Sequence, residues 1–240
     1  MTTKLLTPSR EWLHPELDLH IEGIVDLVAR LDKTGHVIPN IFDLNDNEGD
    51  ALLWFLNLPR YGNEDAISAP ILHPDICDEL IQYIAEHEDQ FKANDEEETE
   101  YQIPELVLSS TNPALFKSLL TFAKNSLFLL YNLYWGKHPH TVESIQLAKY
   151  TASGIKKTEW HHDANSNMTA VINLAPELYT GGGTDIRTSI LRYEHIKPVP
   201  KGHALIFNGN SLLHRGAKME SGDRNLLVFW ITTDRKVGNL

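Results

Sequence analysis

Four residues of this 240-residue chain could do chemistry together: His161 and Asp163, separated by one position, then His214, and Arg224 ten positions further on. Two imidazoles and one carboxylate on one face of a metal leave the opposite positions open, which suits Fe(II) with room for further ligands. Arg224 adds what a bare metal site lacks. A guanidinium forks onto a carboxylate through two parallel hydrogen bonds, so it could hold an organic acid whose other end chelates the metal.

Such residues need elements to position them. Residues 143–150 alternate apolar and polar side chains as a strand does, and the turn-like 151–154 ends them. Residues 168–175 are apolar and β-branched until Pro176 stops them, so His161 and Asp163 sit at a strand entrance. The segment 202–209 reads as a buried strand bounded by glycines, with His214 just beyond its end. Arg224 then opens a strand over 225–232. The strand period of two puts Arg224, Leu226, Val228 and Trp230 on one face. If that face lines a barrel, Arg224 enters the pocket beside the metal.

Five ordered landmarks carry a family resemblance: His161-His162-Asp163-Ala164, residues 179–184 (Tyr-Thr-Gly-Gly-Gly-Thr), residues 200–207, Leu213-His214-Arg215-Gly216 and Ser221-Gly222-Asp223-Arg224. On these, residues from about 143 to 234 resemble the 2-oxoglutarate/Fe(II)-dependent dioxygenases of the prolyl- and lysyl-hydroxylase branch, with wording nearest the lysyl-hydroxylase catalytic domain. The resemblance implies an α+β fold with a mainly β core, a double-stranded β-helix of the jelly-roll or cupin kind, supported by N-terminal helices. It implies His161, Asp163 and His214 as the catalytic Fe(II) ligands, and Arg224 as the anchor of 2-oxoglutarate. Tyr150 is similar in position to a tyrosine that binds the same carboxylate. O2 is the other implied co-substrate and ascorbate an accessory. The implied reaction decarboxylates 2-oxoglutarate to succinate and CO2 and hydroxylates an unactivated C–H bond.

Neighbouring residues have plainer readings. His162 is expected in the pocket wall, not among the ligands, and Arg215 and Lys218 are fallback anchors should Arg224 face solvent. Gly181 to Gly183 are followed by no lysine-serine or lysine-threonine pair, so they give backbone freedom between strands and do not cradle phosphate. Trp160 is open between substrate contact and packing.

The front half reads as helical. Apolar residues at Leu17, Ile21, Ile24, Val25, Val28 and Leu31 make a helical stripe, Pro74 starts a second helix, and a third is expected over about 113–135. Asp95 to Glu100 is an acidic cluster expected in an exposed loop. Residues 1–69 are expected to form a helical extension in which Trp54, Phe55, Leu56 and Leu58 pack on the barrel or present a substrate surface. The dioxygenase domain then covers 70–240, with helices over 70–140 and the β-helix over 141–240.

Cys77 is the only cysteine, which excludes an internal disulfide and suits a reducing compartment; a half-buried helix position is expected for it. Residues 1–16 lack the apolar core of a signal peptide, so a cytoplasmic location is expected, apart from the secretory collagen hydroxylases. Charge is divided unevenly. Residues 1–139 carry nine Lys+Arg against twenty-four Asp+Glu, while 140–240 carry twelve against nine. That acidic field disfavours nucleic acid as a partner. The substrate class expected is a protein or peptide side chain, prolyl or lysyl. A free amino acid or small molecule, and a non-catalytic cupin-like metal-binding module, are the alternatives; oligomeric state is open.

Overall fold

The computed structural model describes residues 3–35, 40–92, 103–164 and 166–233, so the acidic cluster at 95–100 lies outside the described residues. The front part runs α1 (Pro15–Thr34), α2 (Asp46–Leu56), β1 (Arg60–Tyr61), β2 (Ala66–Pro70), α3 (Pro74–Glu86), β3 (Glu105–Val107), α4 (Leu108–Thr111), α5 (Pro113–Lys124) and α6 (Leu127–Trp135). The strands β4 (Thr141–Thr151), β5 (Met168–Asn173), β6 (Tyr179–Gly181), β7 (Thr184–Ser189), β8 (Arg192–Ile196), β9 (His203–Phe207), β10 (His214–Gly216) and β11 (Met219–Thr232) follow. The larger sheet has the order β1-β2-β9-β5-β11-β4-β3, with β6 attached to β11, and the smaller one the order β10-β7-β8. Every described pairing between these strands is antiparallel. These two sheets are the β core the resemblance implied.

Period-two alternation decides which residues face which side. Ile145, Leu147, Ala170, Ile172, Leu227 and Phe229 join the helices in one core. Their strand neighbours Ala148, Tyr150, Val171, Leu226 and Val228 form a separate cluster on the other face. Helices therefore cover the outside of the larger sheet, while its inner face is left for the site.

Local sequence explains the helix bounds. Pro15 opens α1, the His14 ring accepts a hydrogen bond from the Glu16 N–H, and Gly35 closes the helix in the left-handed region at φ 68°. Leu17, Ile21, Ile24 and Leu27 are buried, whereas Val25 of the expected stripe points outward at 43% exposure. Residue 25 falls too far round the helix to share the face. The expected helix over 113–135 is two helices. At the break, Ser126 leaves helical backbone (φ −140°, ψ −77°) and its hydroxyl donates to the Phe122 carbonyl at 2.7 Å. This is the local competition with helix hydrogen bonds that serine offers. Cys77 is fully buried on α3 instead of half-buried, and burial pushes its thiol up to about 12.

The extension is continuous with the sheet. β2 pairs with β9, with Ile67 opposite Ile206 and Ala69 opposite Ala204, so a boundary at 69/70 falls inside a strand. Phe55 and Leu58 are buried, Leu56 is exposed, and the Trp54 indole donates to Glu16 Oε1 at 3.0 Å. Among the described residues no helix is long and apolar enough to cross a membrane.

His203, at the start of β9, lies 5.3 Å from the His14 ring, and burial lowers its pKa from 6.5 to about 4. Because the folded chain resists protonating it, its contribution to stability is complete above about pH 6.5 and is lost as pH falls towards 4. Denaturant midpoints are expected to fall between pH 7 and 4.5, and to fall less in His203→Gln. Equal falls in the two proteins would remove His203 as a source.

Candidate active site

Two neighbouring strands bring the predicted anchor residues together. In the β4–β11 ladder Arg224 pairs with Tyr150, and the guanidinium carbon lies 5.2 Å from the Tyr150 ring centre. Arg224 does not open its strand as expected. β11 starts at Met219, because residues 219–222 pair with β6 before the chain reaches Arg224. That long-range pairing carries the strand back through Ser221 and Gly222. Face assignment is unaffected: Arg224, Leu226, Val228 and Trp230 all line one cavity of about 440 Å³.

His161, Asp163 and His214 line that cavity too, with one ligand atom from each all within 4.8 Å of one another. A two-way backbone bridge sets the two histidines. The His161 N–H donates to the His214 carbonyl at 2.9 Å, and the His214 N–H returns the bond at 3.0 Å. Each Nδ1 then faces a carbonyl at 2.8 Å, that of Glu159 for His161 and that of Leu212 for His214. With Nδ1 donating, each Nε2 keeps its lone pair for a metal. Burial also lowers the His214 pKa, which holds the ring neutral as a ligand must be.

Asp163 is fixed from two sides. Its N–H donates to the Gly209 carbonyl at 2.9 Å, and the Thr169 hydroxyl donates to Oδ2. Its oxygens stand 3.8 Å (Oδ1) from His161 Nε2 and 3.5 Å (Oδ2) from His214 Nε2. Only glycine fits at 209, where a Cβ would come within 2.2 Å of Thr169 Oγ1 and 2.6 Å of Asp163 Oδ2. Arg224 is the opposite case: a side chain built in with partners missing. It is 4% exposed, yet Nε and Nη1 find no partner among the described residues. A buried donor left unmade costs more than a paired one returns, and the cost is higher for a charged group. An anionic ligand in this cavity would remove that cost, and the two-imidazole, one-carboxylate set fits Fe(II). The residues present therefore fit both groups.

No family model matches the chain, and no curated protein matches it. Solved structures do. A prolyl-4-hydroxylase of Pseudomonas putida aligns with a TM-score of 0.56 at 15% identity, over 71% of this chain and 94% of its own. A prolyl hydroxylase of Trichoplax adhaerens, in complex with a hypoxia-inducible-factor peptide, gives 0.58 at 14% over 70% and 84%. The non-haem α-ketoglutarate-dependent carbocyclase SnoK of nogalamycin biosynthesis gives 0.53 at 14% over 84% and 91%. The chain has the 2-oxoglutarate/Fe(II) oxygenase fold.

Within this oxygenase fold the remaining expectations separate. His162 lines the cavity outside the three-residue cluster, as a wall residue would. Arg215 is engaged elsewhere, its Nε donating to Asp185 Oδ2 at 2.8 Å, and Lys218 is exposed; neither lines the cavity. Trp160 is half-buried, with the Arg187 and Arg215 guanidinium carbons 4.4 and 4.5 Å from its ring centre. Gly183 of the triple glycine adopts φ 97°, and a Cβ there would meet the Ile196 carbonyl at 2.2 Å, a structural role.

Three residues went unassigned in the sequence. Tyr179 accepts from Asn173 Nδ2 at 2.9 Å; burial pushes its hydroxyl pKa up and the Arg224 charge opposes this. Thr158 accepts the Gly216 N–H at 2.6 Å on the cavity wall. Thr169 could have been found, because it shares the period-two face of Val171, and both line the cavity. Thr169→Val is expected to weaken metal binding about 10–100-fold, the usual effect of losing a partner that orients a ligand. Metal titration would read it, and Thr169→Ser should restore the affinity. Unchanged binding in the valine protein would leave Asp163 positioned by the backbone alone.

Proposed function

We propose that the chain is an Fe(II)- and 2-oxoglutarate-dependent dioxygenase that hydroxylates a C–H bond of a protein or peptide side chain, prolyl or lysyl, with release of succinate and CO2. One observation carries the reading. The buried, half-unpartnered Arg224 guanidinium shares a cavity with the His161–Asp163–His214 cluster. A metal site alone would need no such cation.

Bound iron would supply the oxidising power, using O2 and 2-oxoglutarate. The chain's own residues do the rest. His161, Asp163 and His214 would hold the metal, and Thr169 would keep the Asp163 carboxylate aimed. Arg224, flanked by Tyr150, would hold a co-substrate carboxylate through its free N–H groups. Phe207, Leu226 and Val228 would line the space around it and exclude water.

Access supports a polypeptide substrate. The His161 side chain is 32% exposed against 8% for Asp163 and His214, so the cluster opens to solvent on the His161 side. Glu105, Glu143 and Trp230 line the same cavity, a wall that favours a cationic lysyl side chain over a prolyl one. A reducing, cytoplasmic location is part of the proposal, on the single buried cysteine. The test is anaerobic addition of Fe(II) and 2-oxoglutarate to folded protein. A weak visible charge-transfer band, followed by succinate on admission of air, is expected; folded protein without the band rejects the reading.

A further inference from the structure

The turn joining β7 to β8 breaks the chemistry of its own geometry. It is a two-residue connection, Ile190–Leu191, closed by the Ser189–Arg192 pair. Hairpins of this length favour Gly, Asn or Asp in turns with positive φ, and neither Ile190 nor Leu191 takes a positive φ. A register shift between Arg187 and Ser189 absorbs the mismatch. Both side chains stand in solvent, Ile190 91% and Leu191 90% exposed, where a polar turn would fold more readily. When local rules fail at an exposed position, something other than folding has selected the residues.

The tip also has a particular place. Ile186 of β7 pairs with His214, so Ile190 lies four residues beyond the cluster, about 13 Å along the strand. Between the two stands Trp160, next in the chain to His161, in edge contact with Tyr193 at 5.7 Å. The acidic groups of this rim are engaged within the chain. Asp185 is spent on Arg215 and His195, and Glu194 accepts the Gly62 N–H. Arg187 and Arg192 form no ion pair with an acid among the described residues; Arg187 Nη1 donates to the Ile190 carbonyl at 3.3 Å and its guanidinium lies over the Trp160 ring.

We infer that the Ile190–Leu191 tip, with Arg187, Arg192 and the Trp160–Tyr193 edge, is a docking surface for a polypeptide that presents a bulky apolar residue beside acidic ones. It rests on the proposed hydroxylase reading only in taking that polypeptide to be the substrate. Trp160 of this surface directly precedes His161, whose side chain is 32% exposed at the cavity. Two apolar side chains give the anchor, and the guanidinium groups, to which no acid of the described residues is paired, give orientation and preference for acid.

A test by binding keeps the two readings separable. A random peptide display library is selected on the immobilised full chain, without iron or 2-oxoglutarate, and the recovered peptides are titrated against wild type, Ile190→Ser/Leu191→Ser and Arg187→Glu/Arg192→Glu. Peptides rich in Asp or Glu next to Leu, Ile or Phe are expected, with affinity reduced at least tenfold in either variant. Recovered peptides that bind both variants as well as wild type overturn the inference, as does failure to recover any. A concentration-dependent dimer of wild type that the serine variant disperses assigns the tip to a second copy and overturns it too. Peptides that bind as expected but gain no 16 Da with iron, 2-oxoglutarate and O2 leave the surface standing and count against the hydroxylase reading alone.

Discussion

Succinate formation by Asp163→Ala protein is expected below detection, at any Fe(II) concentration that leaves the protein soluble. Losing a partner that merely orients a ligand costs about 10–100-fold in metal affinity, and loss of the carboxylate itself removes the only anionic ligand of the cluster. The fold should survive. Thr169 loses one acceptor but keeps Ser166 Oγ at 3.0 Å, a change of about 1 kcal/mol in stability. Unfolding midpoints without metal should therefore stay close to wild type, while the metal-induced rise in midpoint disappears. His161→Ala should behave alike. Full turnover by either variant would strike that residue from the ligand set.

Arg224→Ala addresses the other half of the site. Truncating one partner of a buried, hydrogen-bonded charge pair costs about 2–5 kcal/mol, or roughly 30- to 4,000-fold in a binding constant. The 2-oxoglutarate requirement should rise by that order while iron binding is retained, because Arg224 does not belong to the metal cluster. Thermal unfolding gives a second readout. 2-Oxoglutarate should raise the midpoint of metal-loaded wild type through mass action and leave Arg224→Ala unmoved at the same concentration. An unchanged 2-oxoglutarate dependence would transfer the anchor to another cation. Arg215 would first have to leave Asp185, and Lys218 would have to turn in from solvent.

What could be read in the sequence was whatever repeats with a short period or sits in a contiguous motif. The inward face of β11 followed from alternation alone, and the His161–Asp163 pair from its spacing. What could not be read depends on partners distant in the chain. Ser221 and Gly222 join β11 only through pairing with β6, some forty residues upstream. Residues 66–70 carry no mark of the barrel, yet β9 recruits them across more than 130 positions. Ser126 was a different failure, a single hydroxyl interrupting a run of apolar residues whose periodicity continues on both sides. Tyr179 was visible as a landmark but silent about its role, since only the folded sheet brings its hydroxyl to Asn173 and its ring near Arg224.

The position of β11 between β4 and β5 fixes an order of events during synthesis. Both neighbours leave the ribosome first, and neither can complete its ladder until β11 arrives. At the ribosomal rate of about 5–20 residues per second, the gap between the end of β5 and the end of β11 keeps two sticky edges unpaired for several seconds. Arg224 and its neighbours on β11 enter the growing molecule in that closing step, while His161 and Asp163 are already exposed. The acid anchor is the last part to arrive, so the strand that finishes the sheet also finishes the site.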